Sequence, residues 1–221
     1  MSDPRRPIFD AVRAARRNAP FKTPEVAILD NALDALGVPR AGKPLPTPKP
    51  DPLPAPAPVA AADPDWLAHA RTLMGTKEIV GPQHNSWIVK QWAKLGASWF
   101  NDDETPWCGL FVAACMQAVG LPFPGKGQFA RALAWKDWGK PCGILLGAVA
   151  VFGRTGGGHV GFIVGESADM LYILGGNQSN AVNIMPIAKS RLVASRWPAE
   201  RAVGTAKPPK MSGGTVSKNE A

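Results

Sequence analysis

From Pro44 to Pro58 every second residue is a proline. No helix or sheet ladder can run through such a pattern, because each proline lacks an N–H and fixes its φ near −65°. Residues 43–62, KPLPTPKPDPLPAPAPVAAA, therefore read as a linker. In extended polyproline form, at roughly 3.1 Å per residue, it would reach about 60 Å. The run divides the chain into a small head over 1–42, the linker, a compact domain over 63–200 and a tail over 201–221.

The head reads as a helical hairpin over 7–38. Ile8, Phe9 and Val12 share one face of its first half, with Arg13, Arg16 and Arg17 opposite. Thr23 and Pro24 cap a second helix whose stripe is Val26, Leu29, Leu33 and Leu36, and Gly37 stops it. Two such helices bury little surface alone, so the head is expected to lean on a second copy or on the compact domain. Its arginines are open to two readings, contact with an anionic wall polymer or a plain solvated face.

In the domain, Asp63-Pro64 reads as a cap and first turn, and Trp66, Leu67, Ala70, Leu73 and Met74 carry a helix to Gly75. A second helix is expected at about 86–95, where Trp87, Ile88, Trp92 and Leu95 share a face. A third, from Pro106 through CGLFVAACMQAV, is apolar on nearly every side and should be central and buried. A short fourth covers roughly Gln128 to Trp135. After Gly143 the pattern changes to short β-rich runs, GAVAVFG, HVGFIVG, MLYILGG, AVNIMP and RLVASRW, whose close spacing suits an antiparallel meander. Helices first and strands afterwards make the fold class α+β. From Thr205 onward there is no periodicity, and the tail is expected to be disordered.

A formal net charge of +8 asks for an anionic partner, nucleic acid or an acidic cell envelope. The basic residues are scattered and form no nucleic-acid-binding motif, which favours the envelope. No run approaches the roughly 20 apolar residues of a membrane helix, and the N-terminus lacks a secretory pattern. The protein is expected to be a monomer that stays in the cytosol unless something releases it. Three cysteines, without CxxC spacing, argue against a disulfide framework and a zinc ribbon, and no metal or cofactor is expected.

Cys108 stands at the first turn of the buried helix. Free N–H groups and the helix dipole there favour a thiolate, which predicts a lowered thiol pKa. The N–H groups of Cys108 and Gly109 could also hold an oxyanion. Cys115, two turns on, reads as core, and Cys142 as incidental. His159 follows Gly156, Gly157 and Gly158 at the mouth of a strand, where glycines let a substrate approach. A histidine on a rigid strand facing a helix terminus is what a Cys–His pair needs. His69 and His84 read as structural or solvated. Asn177 ends the next strand beside His159 and is the candidate for orienting its ring; turn chemistry is the competing reading, and Gln178 is the fallback. Gly158 and Gln178 are candidate substrate contacts. Trp107 is either a groove wall or core. The acidic run Asp102, Asp103, Glu104 reads as a solvated loop or helix cap rather than a cation site.

DDETPWCGLFV, GGGHVGFIVGE, LGGNQSN and SRLVASRWP together resemble the CHAP and NlpC-like cysteine peptidases, in particular phage and prophage cell-wall hydrolases. The resemblance covers about residues 64–198. It implies a papain-like α+β fold and cleavage of peptidoglycan amide bonds, within the stem peptide or at its junction with the sugar. It places Cys108, His159 and Asn177 on the catalytic positions. Many CHAP members carry a glutamate two residues before the asparagine, where this chain has Gly175. The expected role is a phage endolysin that leaves the host cytoplasm through a holin-type pore. A phage-tail or effector hydrolase and a non-catalytic wall-binding protein are the alternatives.

Overall fold

The computed structural model describes residues 63–214. The head hairpin, the linker and residues 215–221 lie outside the described residues. Helices α1 (Asp65–Thr72), α2 (Ser86–Lys94) and α3 (Cys108–Ala118) come first, followed by two 3-10 turns, Gln128–Ala130 and Ala132–Asp137. The expected fourth helix is thus two tight turns. Gly127, at φ 74°, precedes the first, and Arg131 is extended between them.

Six strands then build one antiparallel sheet: β1 (Lys140–Pro141), β2 (Val149–Arg154), β3 (Gly157–Glu166), β4 (Met170–Gln178), β5 (Ala181–Ala188) and β6 (Leu192–Trp197). Their order, β1-β6-β2-β3-β4-β5, is a meander only from β2 to β5. The last strand returns to pair with β2 and carries the short β1, which the sequence pattern did not suggest. The α+β class holds, and the simple meander is corrected.

Local chemistry explains most of the elements. The Asn85 side chain accepts from the N–H groups of Trp87 (2.9 Å) and Ile88 (3.4 Å) and so starts α2, which buries Ile88 and Trp92. At α1 the expected cap is absent: Pro64 itself is the N-cap, and the Asp63 carboxylate pairs with Arg71 at 2.6 Å instead. The β4–β5 turn has positive φ at both central residues, Ser179 (52°) and Asn180 (61°), the twist that tight hairpins require.

Helix α3 is the centre of the core. Nine consecutive residues from Cys108 to Met116 are buried, as an all-round apolar helix demands. It packs on β3 and β4, where Phe111 meets Phe162 with ring centroids 6.0 Å apart. The expected disorder from Thr205 is corrected as far as Gly214. The Pro209 carbonyl accepts from Glu166 N–H, Met211 N–H donates back to Glu166, and Tyr172 Oη donates to Gly213 O at 2.8 Å. A side chain on Gly165 would collide with Met211, so the glycine lets this strap lie against β3. Among the described residues no helix is long and apolar enough to cross a membrane.

Candidate active site

Helix α3 starts at Cys108, two residues later than its sequence pattern suggests, because Trp107 leaves the helical region (φ −113°, ψ 17°). Trp107 is fully buried. Its indole N–H donates to Glu78 Oε1 at 2.8 Å, and its ring lies against Gly176 of β4. Trp107 is therefore a brace beneath the helix tip, and the groove-wall reading is corrected. Gly109 has no room for a side chain, since a Cβ there would strike the Phe129 carbonyl. Its absence lets the first 3-10 turn close over the tip.

The Cys108 thiol sits at this tip, 7% exposed. Burial pushes its pKa above the ordinary thiol value; the backbone N–H groups of Val160, Gly109 and Cys108 and the charge of Arg154 pull the other way without offsetting it. The expected lowering is corrected. The helix terminus does act in that direction, but desolvation of a thiolate in a closed site outweighs it. The closed site thus favours the protonated sulfur, and attack calls for a base. Cys115 is pushed well above the ordinary range by burial, as a core cysteine should be.

The Val160 N–H identifies where the sulfur lies. In β3 the Ile163 N–H bonds to the Ala148 carbonyl on the β2 side. By alternation the His159 and Gly161 N–H groups also point toward β2, and that of Val160 points toward β4. Yet the β3–β4 pairing ends at Phe162↔Leu174. The Val160 N–H is left facing a gap between the strands, and the Cys108 sulfur lies against it. Helix tip and strand end meet there, one residue from His159.

His159 is 1% exposed, and its Nε2 lies 3.1 Å from Gln178 Oε1. The orientation of the Gln178 amide follows from its other contacts. Its Nε2 bonds to the carbonyls of Ile173 (3.1 Å) and Asn183 (2.7 Å) and to Asn183 Oδ1 (3.0 Å). Carbonyls only accept, so the NH₂ must face them and Oε1 must face the imidazole. Oε1 in turn accepts, so His159 Nε2 carries a hydrogen, and Nδ1 is the nitrogen left to exchange a proton. The network selects Nδ1 as the basic atom.

Gln178 rather than Asn177 holds the ring. The cause is a one-residue bulge in β4: Gly175 pairs with Asn183, Gln178 pairs with Ala181, and the register shifts between them. Asn177, at φ 57°, absorbs the extra residue and is buried. Among the described residues its side chain makes no hydrogen bond. The bulge turns Gln178 onto the face of His159, so both the orienting role expected of Asn177 and the substrate contact expected of Gln178 are corrected. Gly175 makes room for this: a Cβ there would lie 2.9 Å from His159 Nε2 and 3.0 Å from Gln178 Oε1. A glutamate at that position would occupy the space in which the ring meets the amide. Gly158, half-buried, faces Leu133 and the Phe152 carbonyl at the rim, where a side chain would not fit.

The acidic run serves the scaffold. Asp102 accepts from Thr105 N–H at 2.6 Å and closes the turn before α3. Asp103, 0% exposed, accepts from the N–H groups of Asn85 (2.7 Å) and Ile79 (2.9 Å) and contacts His84 Nδ1 (2.9 Å). Burial alone would raise its pKa, but these hydrogen bonds together hold it below the ordinary carboxylate value. Glu78 is shifted upward, first by burial and then by the carboxylates of Asp103, Glu104 and Asp102, against the pull of the Trp107 indole. His84 is thus structural, as read from the sequence.

In comparisons of the chain with known proteins, no family model matches and no curated protein does.

Proposed function

We propose that the chain is a cysteine-dependent peptidoglycan hydrolase whose papain-like domain resembles the CHAP and NlpC-like peptidases. The observation that carries this reading is the meeting of the Cys108 thiol with the end of β3, beside an imidazole whose Nε2 is held by Gln178. A buried thiol, a histidine held at one ring nitrogen and the N–H groups of a helix tip are the three parts that acyl transfer needs.

In this mechanism His159 Nδ1 takes the thiol proton as sulfur attacks an amide carbonyl carbon of the wall peptide. The carbonyl oxygen becomes an oxyanion stabilised by the N–H groups of Cys108 and Gly109. Collapse breaks the C–N bond, and the Nδ1 proton goes to the leaving amine. Water then attacks the thioester, giving its proton to Nδ1. The thiolate leaves and recovers that proton, so the enzyme is restored. The raised thiol pKa suits this order, because the proton moves with the attack rather than before it. The role that follows is that of a phage lysis enzyme, made in the host cytoplasm and released to the wall through a holin-type pore.

Mass spectrometry of muropeptides after digestion of purified peptidoglycan tests the reading. New amine and carboxylate ends at one stem-peptide amide, or at the sugar–peptide junction, are expected. An unchanged muropeptide profile would exclude it.

A further inference from the structure

Next to the rim of this site lies a groove of ≈ 640 Å³, lined by residues of the 124–138 segment that include Gln128, Arg131, Leu133 and Lys136. It lies within the size range of sites that hold small organic ligands, about 300–1,000 Å³. Leu133 connects it to the catalytic strand: a Cβ on Gly158, the residue before His159, would lie 2.9 Å from Leu133 Cδ2. Leu133 is nonetheless 40% exposed.

Beside the Gly125–Gln128 side of the groove stands Trp99, 63% exposed. Exposure alone says little of a tryptophan; how the ring is held says more. This one is not loose. Its ring lies on Gly127, between the groove residues Gly125 and Gln128, and a Cβ on Gly127 would lie 2.6 Å from Trp99 Cζ2. It is also braced by Phe100 (centroids 5.8 Å apart), which packs on the buried Trp92 at 4.8 Å. A flat, supported indole offers apolar area to the C–H face of a sugar ring at small cost in side-chain entropy.

The charges point the same way. Arg131 and Lys136 line the groove against the single carboxylate of Asp137, which is 4.0 Å from Lys136, and Lys126 adds a further positive charge beside Gly127. Among the described residues no carboxylate pairs with Arg131.

We infer that this groove is a substrate subsite for the glycan and carboxylate-bearing portion of the wall polymer, with Trp99 stacking on a sugar and Arg131 receiving a carboxylate. The inference rests on the hydrolase reading and extends it: the enzyme grips the polymer beside the bond it cuts. A free stem peptide, lacking the sugar, would not engage Trp99.

The test compares wild type, Trp99→Ala, Trp99→Phe and Arg131→Glu on purified sacculi and on a soluble sugar-free stem peptide. Both positions are on the surface, and circular dichroism and melting verify the folds. Trp99→Ala is expected to lose about ten-fold in kcat/KM on sacculi, the scale of one aromatic contact, with no change on the free peptide. Trp99→Phe should recover most of the loss. Arg131→Glu should weaken pelleting with sacculi and reduce its dependence on salt. Wild-type protein that cuts sacculi while all three variants match it overturns the groove and leaves the hydrolase reading intact. Wild-type protein that neither pellets with sacculi nor cuts them overturns both.

Discussion

Gly175 and Gly176 are adjacent on β4, yet an alanine at each should fail in a different way. At Gly175 the new methyl would lie 2.9 Å from His159 Nε2 and 3.0 Å from Gln178 Oε1, where ordinary contact begins at 3.4 Å. Each partner must yield by about 0.4–0.5 Å, and the 3.1 Å bond between them opens past hydrogen-bonding range. Gly175 is not at positive φ, so the backbone accepts alanine, and the gain of about 0.4–1 kcal/mol from a stiffer unfolded chain offsets part of the strain. Stability should fall only modestly, by about 1 kcal/mol, because the opened bond leaves two buried polar groups unpartnered. A displacement of about 1 Å in a catalytic group costs on the order of a hundred-fold in rate, so about half that displacement predicts a loss near ten-fold in kcat. At Gly176 the methyl would lie 2.6 Å from Phe111 Cβ and 2.7 Å from Trp107 Cζ3, both fully buried and unable to give way. That variant should lose about 1–3 kcal/mol of stability through overpacking. Thermal melts and steady-state hydrolysis of purified peptidoglycan, run on both variants, separate the two effects. Wild-type kcat in a folded Gly175→Ala protein would refute the claim that the His159–Gln178 bond sets the reactive geometry.

The bulge makes a second discrimination possible: Asn177→Gly, which suits the positive φ, should keep activity within about three-fold, whereas Gln178→Leu should abolish most of it. Hydrolysis rates that fall only for Asn177 would return the orienting role to that residue. Asp103→Ala leaves two buried N–H groups without their acceptor and should cost about 3 kcal/mol, read as a lowered denaturant midpoint. Because the Asp103 pKa is depressed in the folded state, its stabilisation is fully present above the unfolded value near 3.9 and is lost as pH falls through the folded one. Acid melting curves of the variant should therefore be flatter below about pH 4, and curves parallel to wild type would exclude this role. With the Cys108 thiol raised by burial, its alkylation by iodoacetamide should keep accelerating past the pH at which free cysteine levels off. A plateau at or below that of free cysteine, mapped by peptide mass spectrometry, would instead mean a resting thiolate.

What could be read from residues alone was whatever depends on periodicity. The all-apolar run 108–116 became the central helix, and five strand patterns became strands, because burial of apolar stripes dominates local preference. The pairing of Cys108 with the end of β3 followed from helix tip and strand mouth. The third member did not, because it depends on one inserted residue. LGGNQSN as a regular strand would give Asn177 the place beside the ring, and the bulge hands it to Gln178. Nothing in that heptapeptide distinguishes the two registers before β5 is paired. The strap at 205–214 was hidden for a related reason: it is held by scattered contacts to Leu146, Gly165, Glu166 and Tyr172, and such contacts leave no periodic pattern. Trp107 was ambiguous because its neighbours Glu78 and Gly176 are remote in sequence.

The central claim is that one sulfur does the chemistry. Purified sacculi incubated with wild type or with Cys108→Ala, at matched circular dichroism and melting temperature, can be followed by the appearance of new free amino groups. Wild type is expected to release them steadily and the alanine variant to give none above buffer. Equal release by the two proteins would mean that Cys108 is not the nucleophile.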